Sequence, residues 1–295
     1  MYKFILLFIL LCGTNLSFAE NQLEQKIKSF LKDKNATVGV AVLFEGKEVA
    51  IVNGQQHYPL LSVYKFPLAL AVLDHLDKNH LPLNTKITVS QSDLLPDTYS
   101  PLRDKYPQGG IDLTVSELLT YTIALSDNNA CDILFRYVGG TKKVNRYIKK
   151  LKIKNISIAN TEQEMYQNLD YVYQNSATPS AITRLLELFL KNELFAKEYH
   201  EFLEETMIHT TTGLKKIRAL LPTSVTVGDK TGNSPRTDAG MKIADNDLAF
   251  VRLPNGKQYT IAVLVSNSYE NDETNARIIA QISKIVYDDF ISKLQ

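Results

Sequence analysis

Strand-like and helix-like segments are segregated along this chain, and that segregation limits the folds open to it. Near the start, residues 36–44 and 49–52 are β-branched and apolar, with Glu45-Gly46-Lys47 between them as a hairpin turn. Near the end, residues 225–229, 248–253 and 259–266 are strand-like, the last two joined by Pro254-Asn255-Gly256. The middle is helical in pattern, over 63–76, 131–137, 142–151, 180–190 and 196–207. Thr114 and Glu117 form a capping-box signature there, and Gly139-Gly140 is a helix stop. Amphipathic helices are expected at both ends, over 21–34 and 271–294. The simplest arrangement is an α+β fold. One antiparallel sheet is assembled from both termini and covered by the terminal helices, with an all-α lobe inserted. Residues 20–60 and 208–295 would form the α/β lobe and 61–207 the all-α lobe of a single domain, with a site in the cleft between them. Residues 155–178 are polar and weakly periodic, and read as a long loop of functional use.

The first 19 residues read as an export signal. Lys3 supplies the charge, 4–12 the apolar run, and Ser17-Phe18-Ala19 the cleavage site, so the mature chain would begin near Glu20 in a periplasmic, secreted protein. Nine apolar residues are too few to span a bilayer core of roughly 30 Å. Lipid attachment at Cys12 is disfavoured by the bulky Leu11 before it. Removing the signal leaves one thiol, Cys131, and no intramolecular disulfide. The five His show no metal-ligand spacing, and no metal or cofactor is expected. With 33 Lys plus Arg against 32 Asp plus Glu, net charge gives no reason to expect nucleic acid, or a membrane after signal cleavage. A monomer acting on small molecules is expected.

Three short motifs carry chemistry. Ser62-Val63-Tyr64-Lys65 opens the first long helix, and residues three apart share a helical face, so the Lys amine can meet the Ser hydroxyl. A Ser hydroxyl needs such a base to become a nucleophile. Ser126-Asp127-Asn128 lies between two helices. There it can cap a helix or present a hydroxyl and an amide to a cleft. Lys230-Thr231-Gly232 follows a strand-like run, offering a cation and a hydroxyl for a carboxylate, and a Gly for close approach.

In this order and spacing, 64 and then 104 residues apart, the motifs resemble those of class A β-lactamases and penicillin-binding proteins over nearly the whole mature chain. The resemblance implies the serine β-lactamase and DD-peptidase-like fold. It makes Ser62 the nucleophile, Lys65 a base, Ser126 a proton relay, and Asn128, Lys230, Thr231 and Asn233 substrate contacts. The class A deacylation base is a Glu on the long loop. Glu162 has the family spacing, 36 residues after Ser126 and 17 before Pro179. Glu164 is its rival, because Asn168 four residues on imitates the family's water-holding pair; choosing Glu162 puts Tyr166 at the Asn position. Tyr99-Ser100-Pro101, Asn128-x-x-Cys131-Asp132, 173–179 and Thr210-Thr211-Thr212-Gly213 resemble the VEB and PER extended-spectrum branch, with Tyr99 at the cleft rim. That branch implies oxyimino-cephalosporins among the substrates. Lys216 stands where many members place an Arg that assists the substrate carboxylate, and Lys lacks the bidentate fork. A cell-wall D-alanyl-D-alanine peptidase and a β-lactam sensor are the alternatives.

Overall fold

The structure is a computed structural model that describes residues 21–293, so the export signal expected over 1–19 lies outside the described residues. In chain order the helices are α1 (Gln22–Leu31), α2 (Lys65–Lys78), α3 (Pro101–Lys105), α4 (Val115–Ile123), α5 (Asn128–Val138), α6 (Thr141–Lys150), α7 (Glu162–Gln167), α8 (Pro179–Leu190), α9 (Lys197–Ile208) and α10 (Asp272–Ser292). The strands are β1 (Thr37–Phe44), β2 (Lys47–Val52), β3 (Tyr58–Pro59), β4 (Lys86–Val89), β5 (Ile111–Thr114), β6 (Ile156–Ser157), β7 (Ser176–Ala177), β8 (Val227–Asn233), β9 (Lys242–Arg252) and β10 (Gln258–Ser268).

The main sheet runs β2-β1-β10-β9-β8, so strands from the two ends of the chain meet at its centre. There β1 pairs antiparallel with β10 from Thr37↔Ser266 to Phe44↔Tyr259. Alternation decides what each face touches. Val38, Val40, Val42, Ile261, Val263 and Val265 pack under α1 and α10, against Leu23, Ile27, Ile278, Ile279 and Ile282. Ala262, Leu264, Leu248 and Phe250 face the other way, into the larger core of the helical segment. The segment between Pro59 and β8 is helical apart from two short ladders, β4–β5 and the edge-paired β6 and β7.

Where the sequence reading and the structure differ, buried polar residues or local caps are the reason. Helix 63–76 begins instead as a 3₁₀ turn, Leu61–Tyr64, before α2. Strand β9 starts at Lys242 rather than 248, because Asp245, Asn246 and Asp247 lie in the strand although buried and polar. Asn246 shows how such a residue is accommodated: its amide donates to the carbonyls of Pro59 and Leu60, at 2.7 and 3.1 Å. Strand β8 likewise carries the whole Lys230-Thr231-Gly232 motif within it rather than after it. Residues 155–178 are not a structureless loop. They hold β6, α7, a 3₁₀ turn over Leu169–Gln174 and β7, units too short to leave a periodic signal. Both expected signatures around 114–140 are present: Thr114 and Glu117 form a reciprocal capping box, and Gly139 ends α5 at φ +90°.

Ile279 is fully buried between α10 and the sheet. Ile279→Ala is expected to lower stability by about 2–5 kcal/mol. The check is a lower Tm by differential scanning fluorimetry, with kcat at 25 °C unchanged.

Candidate active site

The candidate nucleophile sits on a strained turn. β3 delivers the chain to Leu60, whose N–H donates to the Asn175 carbonyl at 2.8 Å. Leu61 then takes φ +47°, a conformation that typically costs a non-glycine residue on the order of 1–3 kcal/mol. The turn presents Ser62, half-buried, to the cleft, and Lys65 follows one turn later as the first residue of α2. Gly232 on β8 lies against this turn. A Cβ there would stand 2.5 Å from the Leu60 carbonyl oxygen, so only glycine lets β8 approach so closely.

Lys65 is wholly buried, and its ammonium gathers the site around itself. Nζ donates to the Ser126 carbonyl at 2.7 Å and to Asn128 Oδ1 at 2.6 Å, and stands 3.1 Å from Glu162 Oε1. The Ser126-Asp127-Asn128 segment does both things its sequence allowed. Asp127 caps α5 through the Ala130 N–H and also accepts from Ser100 Oγ and the Leu102 N–H. Ser126, at φ +59°, and Asn128 flank that cap and turn into the cleft. Asn128 Nδ2 is fixed in turn by Thr98 Oγ1 at 2.7 Å.

The opposite wall is β8. Lys230 is fully buried and donates to Ser126 Oγ at 2.9 Å and to the Thr231 carbonyl at 2.8 Å. Burial, with the Lys65 charge adding to it, pulls the Lys230 ammonium down to about 7. Thr231 Oγ1 donates to Thr212 Oγ1 at 3.1 Å. Lys216 is engaged on three sides: Asp245 at 2.5 Å and the carbonyls of Gly232 and Asn246 at 3.3 and 3.0 Å. On the same strand, β8, Asp229 is paired with Arg218, yet burial and the neighbouring Asp247 push its carboxyl well above the usual carboxylate range.

Ser62, Tyr99, Ser126, Asn128, Lys216, Thr231 and Asn233 line one cleft of about 470 Å³, and Tyr99 stands exposed at its side. Lys65 and Lys230 lie behind that lining, each bonded to Ser126, and Glu162 stands behind it against Lys65. The two loop carboxylates separate cleanly. Glu162 opens α7 and reaches Lys65, whereas the Glu164 carboxylate turns back to the Thr161 N–H at 2.8 Å and completes a capping box at the surface. Asn168 caps the following turn through the Asp170 N–H, and Tyr166 is exposed. Asp132 was singled out in the sequence only as part of a branch motif. Its two oxygens accept the N–H groups of Glu162 and Gln163, both at 2.8 Å, and so hold the start of α7. The available signal was spacing, since Asp132 lies one α-turn after Asn128 on α5. Burial first, and the Glu162 charge second, push the Asp132 carboxyl up to about 7. Among the described residues no cluster of His, Cys, Asp or Glu could hold a metal ion.

This geometry is compatible with serine acyl transfer: a hydroxyl on a turn, buried amines on two sides and a carboxylate at the start of α7. Comparison with known proteins agrees. The family model described as the Beta-lactamase enzyme family matches residues 22–290. The chain is 53% identical to a class A β-lactamase of Bacteroides cellulosilyticus, at TM-score 0.90, covering 92% of this chain and 98% of that one. It is 50% identical to the TLA-1 extended-spectrum β-lactamase, with the same TM-score of 0.90 and the same coverage of 92% and 98%. It is 39% identical over 276 residues to β-lactamase VEB-1 of Pseudomonas aeruginosa, covering 92% of each. The chain belongs to the β-lactamase family, and within it to class A. It hydrolyses β-lactams by the serine mechanism of that family, on the α+β fold of the class.

The position of Lys230 makes a pH dependence. Loss of the cation that donates to Ser126 Oγ, near pH 7, should give kcat/KM an alkaline limb there, falling as pH rises. In Lys230→Arg the cation persists throughout, so the limb should move beyond pH 9. Steady-state profiles from pH 5 to about pH 10 check both.

Proposed function

We propose that Ser62 is the acylated residue and that Glu162 is the base that frees it. The observation that carries this reading is the Lys65 ammonium, which touches the Ser126 carbonyl, Asn128 and Glu162 together. Ser62 Oγ attacks the lactam carbonyl carbon, and its proton passes to Glu162 through a water, or to Lys65 after that ammonium has given a proton to the Glu162 carboxylate 3.1 Å away. Backbone N–H groups of Ser62 and Asn233 receive the oxyanion, a contribution worth about 3–4 kcal/mol per donor. The ring C–N bond then breaks, and Ser126, bonded to Lys230, protonates the departing nitrogen. Lys230 and Thr231, with Lys216 nearby, hold the substrate carboxylate; Asn128 and Tyr99 border its amide side chain. Water activated by Glu162 hydrolyses the ester. Asp132 is a positioning residue, acting through its two bonds to the start of α7.

Three finer statements belong to the same proposal. Oxyimino-cephalosporins are among the substrates, which the likeness to the extended-spectrum TLA-1 enzyme and to VEB-1 supports. The protein is exported to the periplasm, which the leader sequence supports; no helix among the described residues is long and apolar enough to cross a membrane. It works as a monomer, an expectation that rests on the sequence reading alone.

Glu162→Ala should acylate and then stall, because a general base typically contributes about 10²–10⁴-fold. Intact-mass spectrometry should show the trapped adduct, and peptide mapping should place it on Ser62. Glu164→Ala should keep turning over while losing about 0.5–2 kcal/mol of stability with its capping box. Trapping by Glu164→Ala instead would reassign the base. Sustained turnover of a chromogenic cephalosporin by the unaltered enzyme separates a hydrolase from a slow peptidase and from a sensor that bursts once.

Substrate range is a separate measurement. The kcat/KM for a third-generation cephalosporin is expected within about a thousandfold of that for benzylpenicillin. A larger gap, beyond about 4 kcal/mol of discrimination, would remove oxyimino compounds from the substrate range.

A further inference from the structure

The net charge of +1 hides a pronounced asymmetry. Between Ile133 and Thr161 there is no Asp or Glu, while Lys142, Lys143, Arg146, Lys149, Lys150, Lys152 and Lys154 crowd α6 and the residues after it. All seven are exposed, and none has a carboxylate within ion-pair distance among the described residues. The rest of the chain then carries 26 cations against 32 carboxylates, a net charge of −6. The buried face of α6, Val144, Tyr147 and Ile148, faces the helical core, so the cations form the outer face of an anchored helix. Beside them Lys143, Arg146 and Lys150 rim a hollow of about 280 Å³ between α2 and α6, on whose α2 side Lys78 is paired with the Asp74 carboxylate at 2.5 Å.

We propose that this α6 face docks the enzyme on an anionic lipid bilayer surface. Six of the seven cations are Lys, compact hydrated charges suited to a diffuse layer of headgroups rather than to forked recognition of one phosphate. The patch has no exposed large aromatic or aliphatic side chain. It therefore has neither a stacking platform for single-stranded nucleic acid nor a wedge for insertion among acyl chains. What remains is electrostatic attachment at headgroup level, worth roughly fivefold in partition per cation and screened by salt. The acidic remainder of the molecule is repelled by the same surface, which fixes the orientation. α2 runs from Lys65 at the active site to Lys78 beside Tyr147 of α6, about 20 Å along its axis. Net charge alone gave no reason to expect such contact; the distribution of the charge supplies it.

Sedimentation with vesicles tests this. The protein of residues 20–295 is mixed at low salt with phosphatidylcholine vesicles, with or without about a third phosphatidylglycerol. Binding is expected only with phosphatidylglycerol, and should vanish at 0.5 M NaCl. The quadruple variant Lys142→Glu, Lys143→Glu, Arg146→Glu, Lys154→Glu should bind at least about 100-fold more weakly. It should hydrolyse a chromogenic cephalosporin at the unaltered rate, which also shows that it folds. A control of equal charge change, Lys32→Glu, Lys47→Glu, Lys86→Glu, Lys191→Glu, should bind much as the parent does. Absence of binding at low salt, equal loss in both variants, or survival of binding in the α6 variant would overturn the proposal. So would tighter binding to a single-stranded oligonucleotide than to the anionic vesicles.

Discussion

An ammonium group taken out of water organises this molecule. Lys65 has no solvent exposure, and isolating such a charge costs several kcal/mol after relaxation. Three oxygens from three different parts of the chain offset that cost: a carbonyl between α4 and α5, an amide at the start of α5, and a carboxylate at the start of α7. Each of these is then held by something else. Asn128 is tied to Thr98, Asp127 is braced by Ser100 and the Leu102 N–H, and the start of α7 hangs on Asp132. The placement of these groups is thus a corollary of one solvation problem. Removing any of the three oxygens leaves a buried charge short of a partner, which is why positions far from substrate carry weight here.

The two sides of the cleft are joined by contact and hydrogen bonds rather than by a covalent link. Gly232 brings β8 against the Leu60 carbonyl, and Asn246 on the next strand donates to the same carbonyl and to that of Pro59. The strained turn bearing Ser62 is gripped from the sheet side, and Lys230 closes the gap to Ser126 on the helical side. No cystine reinforces this among the described residues; Cys131 is a buried thiol bonded to the Tyr64 hydroxyl. The rigidity of the site therefore comes from packing and from polar groups with assigned partners.

Much of this was legible in the residues. Segregated strands and helices implied a sheet shared by both termini, and the structure pairs β1 with β10. Spacing also favoured Glu162 over Glu164, and the geometry separates them by a mechanism spacing cannot express, since Glu164 is taken by the Thr161 cap. What stayed illegible has a common cause. The polar start of β9 looks like a loop because the contacts that hold Asp245, Asn246 and Asp247, to Lys216, Pro59 and Ile217, come from residues distant in sequence. The helix within 155–178 is six residues long and leaves no periodicity. Asp132 reads as one more surface acid until its N–H donors, about thirty residues away, are in view.

The sheet has a consequence for how the chain becomes a protein. Val38 pairs with Val265, 227 residues later, so the first hairpin has no central partner until nearly the whole polypeptide has been made. Pairings this distant make folding slow. The helical segment shares its core with Leu248, Phe250, Ala262 and Leu264 of β9 and β10, and Ser62 cannot be gripped by β8, nor Lys230 reach Ser126, before the C-terminal third arrives. Assembly of the cleft is therefore among the last events of folding. A ribosome that stops before β10 releases an inactive chain with open strand edges, a substrate for proteases rather than a slower enzyme.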